Sequence, residues 1–264
     1  MARAVLLCRG MFRILQRMDD TQPRHASGGG SLSLLPVTVL AEANEEALEA
    51  LAGWARGLDW LQPLFAGHRH RLSALHFDFA ATAGKGLYPR PAIVRAALEA
   101  HWRDFVDGDL TWRLAPRFGS IWQAAGEGAA ALALADAALD FTGEEAARSR
   151  MAGRLLLERL QGARHLGRLG RYRAAWQQGR APGNFYAAWA AVAHCFQIGL
   201  AAAAAEYLRL EWQIAAARLP CGEAGMVGLA APVAAFLKAA GVPVLVGFTE
   251  PPSSSAGESP DVLP

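Results

Sequence analysis

Residues 183–205 carry no Asp, Glu, Lys or Arg, and alanine or glycine fills about half of the stretch. A segment this long and uncharged has two homes, a bilayer or the middle of a protein. Asn184, His194 and Gln197 interrupt it, and alanine is close to neutral for insertion into a membrane. The reading is therefore a fully buried central helix, with the rest of the chain arranged around it and no membrane association. Residues 184–218 then form a pair of helices rich in alanine and aromatics, ending in an arginine followed by a proline- and glycine-containing loop.

Composition supports a helical body. Of 264 residues, 53% are hydrophobic, with alanine the main contributor. Alanine favours helix and lets helices approach closely, yet each one buries little area. The eight Trp, eleven Phe and many Leu must carry the core. Helical spacing marks 37–60, and Pro63 and Gly67 are expected to break that helix. Pro91 opens a helix to Val106, a break follows, and further helices cover 113–125 and 127–139. Thr142 with Glu145 fits a capping box that opens a helix through about Leu160. Trp102, Trp122, Leu156, Trp189, Phe196 and Leu210 are the expected core. Only 242–248 (VPVLVGF) reads as a strand, and one strand cannot make a sheet. The fold class is all-α: a single helical bundle domain over 37–248, after a flexible N-terminal segment (1–36) rich in Gly, Ser and Pro, and before a disordered tail (249–264).

The chemistry-bearing residues do not assemble into an obvious active site. His68, His70 and His76 gather near Asp78, as a metal site requires, but Arg69 and Arg71 intervene and a cationic setting disfavours a metal. His194 and Cys195 are adjacent on a helix, hence ~100° apart and not facing one another; Cys195 is expected to be buried and structural. Cys8, Cys195 and Cys221 form no CxxC pair or disulfide framework, which fits a reducing cytoplasm. The N-terminal apolar run is broken by arginines and does not match a secretory signal. Gly84-Lys85-Gly86 lacks phosphate-loop spacing. Nine arginines lie between Arg148 and Arg180 against one acid, Glu158. They suit an acidic protein surface or a solvated face better than nucleic acid, for which no stacking platform is present. No cofactor or metal is called for.

Three stretches, in order, resemble the urease accessory protein UreF family. The first is 93–123, with Leu98, Trp102, Val106, Leu110, Pro116 and Trp122 at matching positions. The second is 131–157, with Ser149, Met151, Gly153, Arg154 and Leu156 in register if one residue is inserted between the methionine and the glycine. The third is 183–229, with Tyr207, Arg218, Leu219, Pro220, Gly222 and Gly225 matching. The chain departs from that pattern in its C-terminal loop, where Glu223 and Met226 replace glutamines and one residue is missing. It also departs near the N-terminus, where His76-Phe77-Asp78-Phe79 is at most a remnant of the family motif.

The resemblance implies a non-enzymatic cytoplasmic scaffold that assists GTPase-dependent nickel insertion into urease. Its partners would be the urease apoprotein, the urease accessory GTPase and a further urease accessory protein, and the family often forms a homodimer. Residues Arg218, Pro220, Gly222, Glu223 and Gly225 are then the expected partner-binding loop. Two other readings remain open: another helical metalloenzyme-maturation chaperone, and an all-α isoprenoid or lipid enzyme. The latter needs a magnesium-diphosphate site, for which only Asp19-Asp20 is available.

Overall fold

A computed structural model describes residues 60–72, 74–79, 91–160, 167–217 and 228–241, which all belong to one unit, Leu35–Val246. Among these residues every regular element is helical. Two short helices come first, α1 (Leu61–Phe65) and α2 (Arg69–Leu72). Pro63 does not break α1; it lies in the first turn, where its missing N–H has no intrahelical partner to lose. The expected helix over 37–59, the strand-like run at 242–248, the two terminal segments, Cys8 and Cys221 all fall outside the described residues.

From Pro91 to Glu127 the chain is helical without interruption. Helix α3 (Pro91–Phe105) passes into a π-helical stretch (Val106–Leu114) and then α4 (Ala115–Glu127). The expected break is thus a widened turn: the Ala115 N–H bonds to the Leu110 carbonyl, five residues back. Pro116 supplies a cause. It lacks an N–H, and its ring would crowd the carbonyl four residues earlier in a regular α-helix.

Helix α5 (Ala129–Ala137) follows Gly128, and α6 (Gly143–Arg159) follows Thr142. The boundary expected at Thr142 is observed, but its side chain makes no cap hydrogen bond. Glu145 instead binds Arg113, at 2.8 Å and 2.9 Å, and Arg113 also grips Asp109 one turn back. The acid that a capping box would use therefore pins the π stretch to the start of α6.

Helices α7 (Arg168–Gln177), α8 (Phe185–Cys195), α9 (Leu200–Ala216) and α10 (Ala230–Ala240) complete the described fold. The uncharged segment is two helices, not one. From Phe185 to Ala193 every residue of α8 is buried, and α8 packs against α4, α5, α6, α7 and α9. Among the described residues no helix is long and apolar enough to cross a membrane. Trp102, Leu156, Trp189 and Leu210 are in the core as expected, whereas Trp122 and Phe196 are only partly buried at its edge. Phe196 follows the last residue of α8 and leans on Trp60, ring centroids 5.2 Å apart, so it closes the end of the helix rather than filling its centre.

Candidate functional site

The densest polar arrangement lies inside the helical body. Glu211 projects from α9 with no solvent exposure. Its carboxylate accepts the backbone N–H groups of His76 (3.0 Å) and Phe77 (3.1 Å), and Nδ1 of His76 lies 2.8 Å from its Oε1. Tyr186 donates to Tyr207 at 2.9 Å, and the Tyr207 hydroxyl also contacts His76 Nδ1 at 3.2 Å and Glu211. Burial pushes both tyrosine hydroxyls well above their ordinary range, so they act as hydrogen-bonding groups and not as phenolates.

A carboxylate only accepts, so His76 must carry its proton on Nδ1 toward Glu211. Among the described residues Nε2 has no hydrogen-bond partner, and the rings of Phe141, Tyr186 and Tyr207 pack around the imidazole. The side chains of His76 and Glu211 are fully enclosed. The arrangement therefore holds residues 74–79 to α9 and offers no open face to a substrate.

Two more enclosed acids repeat the device. Glu206, also on α9, accepts the N–H groups of Trp60 (3.0 Å) and Leu61 (3.2 Å) at the start of α1 and is paired with Arg209. Asp136 on α5 accepts the Tyr172 hydroxyl, the N–H groups of Gly183 and Asn184, and the Asn184 side-chain amide. Burial pushes its carboxyl upward, against the pull of those four bonds. Ser149 on α6 accepts the Phe185 N–H. Helix and loop starts here are capped by acids and hydroxyls from distant helices, while Thr142 and Asn184 make no cap bond of their own. The sequence did carry a signal for this: Asp136 is the one acid of α5, and Glu206 and Glu211 are the two acids of α9, inside alanine- and leucine-rich helices.

The sequence-derived candidates distribute as follows. Arg218, Pro220, Gly222, Glu223 and Gly225 lie outside the described residues, between Ala217 just past α9 and Gly228 before α10. His76 is committed to Glu211, and the His70 side chain is not described. Among the described residues no three His, Cys, Asp or Glu side chains gather as metal ligands would. Cys195 is exposed rather than buried, because it ends α8 where the core gives way to surface; its partial burial nonetheless pushes the thiol upward. His194 packs on Trp122 at 4.5 Å, and burial lowers its imidazole against a hydrogen bond to the Trp122 backbone.

The arginines between 148 and 180 do not form one free face. Arg148 meets Asp78 and Glu144, Arg154 meets Glu158, and Arg168 and Arg173 donate to the Ala125 and Leu160 carbonyls. No family model, curated protein or solved structure matches the chain.

Proposed function

We propose that this chain is a non-enzymatic scaffold of urease maturation, assisting GTPase-dependent nickel insertion into the urease apoprotein together with the accessory GTPase and a further accessory protein. The carrying observation is the physical role of the residues through which the sequence resembles UreF. Ser149 receives the Phe185 N–H, and Leu156 and Tyr207 are core residues. Gly153 touches the backbone at Gly183 and Asn184: a Cβ placed on it would stand 2.1 Å from the Gly183 oxygen. The matching stretches thus include parts of α4, α5, α6 and α9, which pack against α8. This is the kind of position at which a shared helical frame constrains sequence. It supports common architecture first, and function through it.

A scaffold reading also accommodates the polar interior. Asp136, Glu206 and Glu211 each serve backbone N–H groups, leaving none of them as a free pair for metal-diphosphate chemistry. In the proposal, residues Arg218, Pro220, Gly222, Glu223 and Gly225 contact a partner through a helix end and a glycine-permitted backbone shape. The test is restoration of nickel-dependent urease activity in cells that lack their own version of the protein. Restoration by the unmodified chain, with loss in Arg218→Ala and Gly222→Val variants that remain folded, supports it. Failure of the unmodified chain to restore activity while folded and expressed removes the proposal.

A further inference from the structure

Trp112 is 82% exposed, and no other described ring packs against it. It sits in the π-helical stretch, where the residues four and five positions away lie about one turn along, to either side. Asp107 and Gly108 therefore lie one turn before it, and Pro116 one turn after. Asp104 extends the same row backward along α3. Asp104, Asp107, Trp112 and Pro116 are all exposed. Gly108 has open space where a side chain would be, with nothing within 4 Å of the Cβ position. The surface thus combines an exposed indole, an uncovered stretch of backbone at Gly108 and two exposed carboxylates.

Its two acids are not engaged by the neighbouring arginines. Arg113 is saturated by Asp109 and Glu145, Arg117 holds Asp140, and Arg103 turns back toward the Glu99 carbonyl. Asp104 and Asp107 have no ion-pair partner among the described residues. An exposed indole next to unpaired carboxylates is complementary to a group that is flat and cationic. A guanidinium stacks on the ring face while bonding a carboxylate with its edge, which an ammonium does less well. Tryptophan and arginine are also the residues that most often anchor protein interfaces.

We infer that the face formed by Asp104, Asp107, Gly108 and Trp112 docks an arginine-bearing segment of a partner protein. One arginine lies over the Trp112 ring, crosses the Gly108 gap and pairs with Asp107; Asp104 takes a second cation or tightens the first. The inference stands on this surface alone and does not require the urease reading.

The test uses the full chain and a five-residue blocked peptide carrying two arginines. The probe is the Trp112 indole N–H resonance, assigned by its disappearance in Trp112→Phe. Expected is a saturable shift of that resonance that weakens with added salt. Asp107→Asn is expected to weaken binding about threefold, in line with an exposed ion pair. The same peptide with citrulline in place of arginine is expected to leave the resonance unmoved. No shift, an equal shift with the citrulline peptide, or an unchanged affinity in Asp107→Asn would overturn the inference. So would a dimer in sedimentation velocity that Trp112→Ala converts to monomer, since the face would then belong to a second copy of the chain.

Discussion

A single absent atom at Gly153 fixes how closely α6 approaches the start of α8. Its Cβ would fall 2.1 Å from the Gly183 oxygen and 2.8 Å from the Asn184 carbonyl carbon, both of them backbone, so nothing can swing aside. Gly126 is a useful contrast, because its Cβ would meet only the His194 ring edge at 3.7 Å, an ordinary contact. Glycine costs a helix about 1 kcal/mol relative to alanine. Gly126→Ala is therefore expected to stabilise by up to about 1 kcal/mol, while Gly153→Ala overpacks and destabilises by about 1–3 kcal/mol or more. Urea titrations of the two variants check this, and equal signs would contradict it. The sequence supplied Gly153 as one position in a resemblance; only the structure gives its reason, since the close approach joins residues far apart in the chain. His194 adds a pH dependence. Burial lowers its folded imidazole below the ordinary value of 6.5, so over that window the unfolded chain binds more protons and stability falls as pH drops. Thermal unfolding of the native chain is expected to shift down between pH 7 and 5 by more than that of His194→Gln.

At the scale of elements, helices were legible wherever apolar spacing was regular, and their ends were less so. The start after Thr142, the start at Asn184 and the opening at Pro91 were all readable from residue type. The π stretch was not, because its register depends on Pro116 together with the distant Glu145–Arg113 pairing. Nor was the turn between α8 and α9. There the Ile198 N–H bonds to the Ala193 carbonyl across Gln197, which takes φ 56°, a left-handed conformation. The end of α7 uses the same closure, from the Arg180 N–H to the Ala175 carbonyl, but places Gly179 at the left-handed position. Gln197 is exposed, so its side chain offers no evident compensation for the strain. Gln197→Gly is expected to raise stability by about 0.5–1 kcal/mol, against the usual penalty for glycine. A lower denaturation midpoint would mean that the Gln197 side chain supports the turn after all.

Across the whole molecule, the all-α class followed from alanine-rich helical periodicity, whereas the polar interior came from pairings 36 to 146 residues apart. Glu211 reaches His76 and Glu206 reaches Trp60, and no local pattern encodes either contact. This division bears on function. If the protein is a scaffold, buried acids act only by keeping it folded, whereas surface loops act by contact. Glu211→Gln replaces an acceptor oxygen with an amide that faces backbone N–H groups, so it is expected to cost about 3 kcal/mol or more. That corresponds to a Tm lower by roughly 6–12 °C. Urease activation by Glu211→Gln should then decline only at temperatures where the folded fraction falls, and recover fully on cooling. Under the proposed function Arg218→Ala, if its Tm is unchanged, should remain deficient at every temperature, because it would lack a contact and not the fold. Measuring Tm and activation of both variants across temperature separates the two roles. If Glu211→Gln stays inactive in the cold while fully folded, the His76–Glu211 centre takes part in function directly, and the purely structural account of it fails.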